Sequence, residues 1–390
     1  MSIDIKTLRK DTPACAELIH FNNAGAALAP QAVTDAVITH LTNEQRLGGY
    51  EAANLAEAQI NRCYGAFAKL LNCDASEIAY AENATHAWNS LFNAIPFSKD
   101  DIILTGQSEY ASNFLALLHL AKRQGVKIEV IPNDRTGTID LERLKAAINS
   151  RVKLIALTHV PSQSGVIHPA ASVGALARTH NILYLLDACQ SVGQIDLNVE
   201  TLGCDMLTGT GRKYLRGPRG SGFLYLRRSS MPKLEPAWID LHSAAWTSTN
   251  TYEFRDDARR FENWECFVAG KIGLGVAVDY AMQIGMPAIE KRVGELGVAL
   301  RETLGAITGV QVHEHGSHLS GIVTFSKQRV FAAALQEGLR AKGINTSVAR
   351  LASNQLDLAQ RGLSDINRAS VHYYNTHEEI ARFGHAIAQF

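Results

Sequence analysis

Lys213 stands in "LTGTGRKYLRGPRGSG" (207–222), flanked by Arg212, Arg216 and Arg219, on a backbone carrying Gly209, Gly211, Gly217, Gly220 and Gly222. A lysine attacks a carbonyl to form a Schiff base only when its amine is neutral. Neighbouring cations favour that form, so Arg212 and Arg216 would prepare Lys213 for it. Guanidinium groups on a glycine-rich backbone are also what a phosphate binds. Upstream, Asp187 ends the apolar run "ILYLLD", where a carboxylate held out of water can pair with a protonated ring nitrogen. A Schiff-base lysine, a carboxylate for a ring nitrogen and a phosphate cradle are the protein parts that a pyridoxal 5'-phosphate site requires.

Those residues need a scaffold, and the pattern supplies one. "EIAYA" (77–81), "DIILTG" (101–106), "KIEVIP" (127–132), "KLIALTHV" (153–160) and "ILYLLDA" (182–188) have the length and apolar content of buried strands. Between them "ATHAWNSLFNAI", "ASNFLALLHLAKRQG", "DLERLKAAINS" and "AASVGALARTHN" carry helical apolar spacing, with Gly125 and Asn181 as helix stops. Strands alternating with crossover helices predict an α/β fold with a doubly wound, mostly parallel sheet. In such sheets ligands bind beyond the carboxyl ends of the strands. Thr85, His86, Glu109, Tyr110, His159, Ser162 and Asp187 all fall there.

After residue 285 the character changes. "PAIEKRVGELGVALRETLGAI" predicts a long helix, followed by strands "VQVHE" and "SGIVTFS", the helix "VFAAALQEGLRAKG", a strand at "ASVHYY" (369–374) and a last helix. The expected division is an N-terminal segment (1–20) near the small domain, a large cofactor-binding domain (21–284) and a small α+β domain (285–390). A helix around 264–284 would link the two domains.

At these motifs the chain resembles the class V aminotransferases of pyridoxal phosphate fold type I, a group with cysteine desulfurases, selenocysteine lyases, isopenicillin N epimerases and hercynylcysteine sulfoxide lyases. The resemblance runs from "FNNAGAALAP" to "NRASVHYYNTHEEI". "THVPSQSGVIHPA" and "GRKYLRGPRGSGFLYL" look most like the hercynylcysteine sulfoxide lyases. It implies that Lys213 carries the cofactor, that Asp187 pairs with the pyridine nitrogen and that Gln190 lies beside the phenolic oxygen. Thr210 and Arg212 would hold the phosphate from one side, and Ala84, Thr85 and His86 from a helix N-terminus. Tyr110 would stack on the ring where the desulfurases place a histidine, and Ser162 stands where they often carry asparagine. Arg368 would take the substrate carboxylate, and Asn23 would touch substrate. "RRFENWECFVAG" matches a segment that reaches the neighbouring cofactor site in relatives, which implies a homodimer with Trp264 and Glu265 at the shared site.

Departures from the family shape the expected reaction. Persulfide-forming desulfurases carry a cysteine on a mobile loop that aligns with "INTSVARLASNQ", where this chain has Ala352 and Ser353. Ser347 replaces an arginine early in that loop, with Arg350 close by as a possible substitute. Cys15, Cys63, Cys73, Cys189, Cys204 and Cys266 include none beyond residue 266. The expectation is a carbon–sulfur lyase acting by β-elimination on a small amino acid without a sulfur relay. An aminotransferase or epimerase is the alternative, and a non-catalytic cofactor-binding regulator the remote one.

Bulk composition narrows the setting. Lys+Arg and Asp+Glu are 38 each, so no global field draws nucleic acid or an anionic membrane. No apolar run reaches the length of a membrane helix. The start lacks an export signal, and the scattered cysteines show no metal-binding spacing, so a cytoplasmic enzyme without a metal is expected.

Overall fold

The computed structural model describes residues 3–314, 316 and 318–390. Its centre is a seven-stranded sheet: β1 (Ile78–Ala81), β2 (Ile102–Gly106), β3 (Lys127–Ile131), β4 (Val152–Thr158), β5 (Leu183–Asp187), β6 (Met206–Thr210) and β7 (Gly222–Leu226). The spatial order is β1-β7-β6-β5-β4-β2-β3. Only β7 runs against its neighbours, β1 and β6, and every other pair is parallel. The middle strands β5, β6 and β7 are almost wholly buried, as expected when helices cover both faces. β6 and β7 add to the five strands read from the sequence. "MLTGT" is hidden as a strand because its polar residues point into packed protein rather than alternating toward water.

Two long helices, α1 (Gln31–Leu47) and α2 (Glu57–Leu71), precede the sheet, along with short ones at Ile5–Lys10 and Gly49–Leu55. The crossovers follow as α3 (Ala84–Phe92), α4 (Ala111–Gln124), α5 (Leu141–Ala147) and α6 (Ala170–Thr179). Gly125 and Asn181 have φ of 71° and 51°, the left-handed conformation that stops α4 and follows α6. Leu104, Ile155, Leu186 and Phe223 pack on one face of the sheet, and Ile103, Leu154, Leu185 and Leu224 on the other. Thr158 is directly opposite Asp187, and Thr210 directly opposite Gly222, which in turn faces Ala81. The carboxyl ends of β1, β2, β4, β5 and β6 therefore open on one edge.

The helix α7 (Val268–Ile284) packs against α1 and α2 and leads into α8 (Met286–Gly305). Beyond it β10 (Val310–Val312), β11 (Ile322–Lys327), β12 (Ser347–Ala349) and β13 (Ile366–Ser370) make an antiparallel sheet in the order β10-β11-β13-β12. (β8, Ala244–Ser248, and β9, Thr251–Phe254, form a separate hairpin before α7.) Leu296, Leu300, Val323, Phe325, Leu339 and Phe383 form its core with α8, α9 (Ala332–Ala341) and α10 (His377–Ala388). The last strand lies earlier than the expected 369–374. The apolar "VHYY" leaves the ladder, and its rings pack on one another and around Arg216. The first residues lie against this small unit: Ile19 and His20 pair with Ile344 and Asn345, and Arg9 meets Glu379 at 2.7 Å. Among the described residues no single helix is long and apolar enough to cross a membrane.

Candidate active site

Lys213 lies just beyond β6, in a loop that folds tightly on itself. Gly217 N–H donates to Gly211 O at 2.7 Å, and Arg216 N–H to Lys213 O at 2.9 Å. Gly193, with φ of 91°, lets another loop touch the backbone of this one: a Cβ there would overlap the Tyr214 carbonyl carbon. Lys213 is buried, and its amine makes no hydrogen bond to another described residue. Burial lowers its pKa, helped by Arg212 and Arg368, while Cys189 and Asp187 pull the other way. Arg216 does not serve the purpose the sequence suggested. Its guanidinium is fully buried away from Lys213, donating to Leu28 O at 2.7 Å, Tyr373 OH at 2.6 Å and Thr12 Oγ1 at 2.5 Å.

Asp187 is fixed by two donors. Cys189 N–H reaches Oδ1 at 2.8 Å, and Asn113 Nδ2 reaches Oδ2 at 2.9 Å. Asn113, on the first turn of α4, also donates to Glu109 Oε1 at 3.0 Å. Glu109 takes further bonds from Thr158 Oγ1 at 2.5 Å, Thr105 Oγ1 at 3.1 Å and Tyr110 N–H at 2.9 Å. Burial raises its pKa against these donors.

Across the pocket stands the start of α3. The Asn83 side chain accepts from His86 N–H at 2.8 Å, leaving the N–H groups of Ala84 and Thr85 without acceptors among the described residues. Such an end, positive by its dipole, seats a phosphate. Thr210 and Arg212 face it from the lysine side. His86 turns away: its ring bonds to Glu82 and stacks on Trp238 at 5.7 Å, and its own N–H is already committed to the cap.

A pocket of about 550 Å³ gathers Ala84, Thr85, Tyr110, Ser162, Asp187, Gln190, Thr210, Arg212 and Lys213. Gln190 donates to Ala24 O at 3.0 Å, and its Oε1 has no partner. Arg368 comes from β13 of the small unit and reaches Ser162 O and Asn22 Oδ1, both at a weak 3.4 Å. Its buried Nε has no partner, and burial pushes its pKa down to about 10. Ser347 is its cross-strand neighbour, and Arg212 is the nearby cation that adds to the lowering. Asn23 lies outside the lining. It is fully buried, donating to Ser370 O at 2.7 Å and accepting from Tyr374 OH, a fastener between the N-terminal segment and the small unit. Trp264 and Glu265 are exposed.

Sequence reasoning passed over Asn83, Asn113, Thr158 and Gln163, the last three of them buried. Asn83 had a signal, as an asparagine at the start of a helical run. Asn113 had only its position one turn beyond Tyr110, and Thr158 only its register with Asp187. Among the described residues no group of His, Cys, Asp and Glu could hold a metal.

The donor set fits pyridoxal phosphate: a buried lysine of lowered pKa, a pinned carboxylate, and helix N–H groups without acceptors among the described residues. The aminotransferase class-V family model matches residues 19–383. A probable cysteine desulfurase of Methanothermobacter thermautotrophicus is 29% identical over 98% of this chain and 97% of its own length. Another, from Xylella fastidiosa, is 32% identical over 98% of this chain and 94% of its own length. The apo structure of a cysteine desulfurase from Thermococcus onnurineus superposes with a TM-score of 0.90 at 27% identity, covering 100% of this chain and 98% of that one. Matched along nearly all of its length, the chain belongs to the class V aminotransferase family, whose members are pyridoxal phosphate-dependent enzymes of fold type I.

Proposed function

We propose that this enzyme is a carbon–sulfur lyase that eliminates the β-substituent of a cysteine-type amino acid and releases the sulfur product directly. The observation that carries this reading is that Lys213 lines a pocket whose only lining thiol among the described residues, Cys189, is pushed up by burial, while Arg368 lies close enough to lower the lysine's pKa. Arg368 is a guanidinium short of acceptors, suited to a substrate carboxylate that would fix the α-carbon. Burial shifts Lys213 toward its neutral form, the form in which an amine binds the cofactor and removes the α-proton. Asp187, held by Asn113 and Cys189, would keep the ring nitrogen protonated. Bound pyridoxal phosphate supplies the electron sink that stabilises the deprotonated α-carbon. Loss of the β-thiolate and addition of water then give one 2-keto acid, one ammonia and one thiol or sulfide per substrate.

A relay through the protein would need a low-pKa, reachable cysteine. Burial pushes Cys15 up to about 11, Cys63, Cys73 and Cys204 to about 12, and Cys189 and Cys266 also upward. The 350–354 stretch carries Ala352 and Ser353 on a short 3-10 turn. Six unpaired cysteines also suit a reducing, cytoplasmic setting.

The working unit in this reading is a homodimer. Trp264 is 60% exposed, and the hairpin β8–β9 presents Trp246 and Tyr252 to solvent, although an isolated two-stranded hairpin is barely stable. A second copy covering these rings would bring its own Trp264 and Glu265 to the shared edge. The test of function is to supply cysteine, cystine, S-alkylcysteines and cysteine sulfoxides and to measure keto acid, ammonia and sulfur product. Equal yields of keto acid and ammonia support elimination. Transfer of the amino group to an added keto acid without ammonia makes the enzyme a transaminase instead.

A further inference from the structure

We infer that Asn113 and Glu109 are positioning residues that aim the Asp187 carboxylate at the cofactor's ring nitrogen, an inference that rests on the Asp187 role proposed above. Asn113 Nδ2 has two hydrogens and two acceptors, Glu109 Oε1 at 3.0 Å and Asp187 Oδ2 at 2.9 Å. No other side-chain type of this size places two donors between two carboxylates, so the amide orientation is fixed by what it touches. Glu109 is the anchor. Thr105 from β2, Thr158 from β4 and the Tyr110 backbone at the head of α4 hold it, so three elements converge on it. Asp187, at the end of β5, is thereby tied to a rigid frame at Oδ2 and to its own loop by Cys189 N–H at Oδ1. A carboxylate held at both oxygens loses little freedom when it meets a ring N–H, which is how a supporting shell raises the strength of a charge-assisted bond.

The chain places the group so that its charge matters as well. Glu109 is 5% exposed, and a second carboxylate one amide away from Asp187 favours a protonated ring over a neutral one. Neither residue lines the pocket, and of the lining residues the Asn113 side chain bonds only to Asp187, so its influence on the cofactor passes through that carboxylate, whereas Glu109 also holds Tyr110 and Thr158.

That restriction provides the test. Apoprotein is titrated with pyridoxal phosphate and with its 1-deaza analogue, in which carbon replaces the ring nitrogen, and affinity is read from visible absorbance. The variants are Asn113→Leu, Glu109→Gln and, as control, Asp187→Ala. The expected result is that Asn113→Leu weakens pyridoxal phosphate about tenfold or more, the range of a hydrogen bond to a charged group, and leaves the deaza analogue within about twofold. Glu109→Gln keeps shape and bonding capacity, and should show the same selective loss to a smaller degree if Asn113→Leu does not fold. Equal weakening of both ligands, or no weakening of either, would overturn the inference and leave Asn113 a packing residue. If Asp187→Ala also fails to separate the two ligands, the Asp187 assignment itself falls. If only Asn113 and Glu109 fail, that assignment stands.

Discussion

Lys213 has little reason to be buried except chemistry. A lysine with a lowered pKa in the folded chain contributes stability above the ordinary value of about 10.4 and loses it as pH falls through the lower folded value. At pH 7, where the unfolded lysine is charged, the folded apoprotein therefore bears the cost of desolvating or deprotonating it. Lys213→Met should melt higher than wild-type apoprotein at pH 7, with the two curves meeting near the ordinary lysine value; equal melting points at both pH values would show that the amine is well solvated. Arg368 yields a second prediction. Arg368→Lys keeps the charge but loses the planar fork, so KM for the amino acid should rise about tenfold or more with a smaller change in kcat. That Lys213 and Asp187 come together was legible in the sequence, because each sits inside a contiguous motif at the end of a strand, and both line the one pocket. Asn113 and Thr158 were not, since their partners come from other strands and only the sheet register brings them together. Asn23 and His86 were misplaced by motif logic: a polar residue beside a glycine or at a helix start can equally be consumed by local packing, as both are here.

At the scale of elements, the site is a consequence of strand order. β5, β4 and β2 are adjacent and parallel, so the loops after them meet, and β6 brings the lysine loop to the same edge. The alternation of apolar runs and amphipathic helices made this order of elements readable from residue 77 onward. It did not reveal β6, whose Thr208, Gly209 and Thr210 are buried without an apolar alternation, or β7, a short apolar run that packs Phe223 and Leu224 on the two faces of the sheet. It also misplaced the last strand, because "VHYY" has strand-like composition but packs as a turn around Arg216. The lysine loop depends on one glycine in particular. Gly193→Ala meets both a left-handed backbone and the Tyr214 carbonyl, so it should destabilise the protein by more than about 1 kcal/mol and also weaken cofactor retention. Denaturant unfolding with a parallel cofactor titration measures both; a neutral result would mean that the two loops can separate without loss.

At the scale of the whole molecule, Arg368 on the small sheet comes close enough to Lys213, on a loop of the large one, to lower its pKa, and it reaches Ser162 O at the pocket. The surface left over by this arrangement carries exposed rings, Trp246 and Tyr252 on the hairpin β8–β9 and Trp264 after it, which the proposed partner copy would cover. Trp246→Glu together with Tyr252→Lys should shift the protein toward monomer in light scattering and lower activity in proportion, whereas an unchanged mass would place the subunit contact elsewhere. The central claim, direct release of the sulfur product, is tested most closely by intact-protein mass spectrometry during turnover with a cysteine-type substrate, thiols being trapped by alkylation at each time point. The account predicts keto acid and ammonia accumulating together while every cysteine remains free of substrate-derived sulfur. A turnover-dependent gain of one sulfur atom on any of the six cysteines, discharged by added thiol, would contradict it and make the enzyme a persulfide-forming desulfurase.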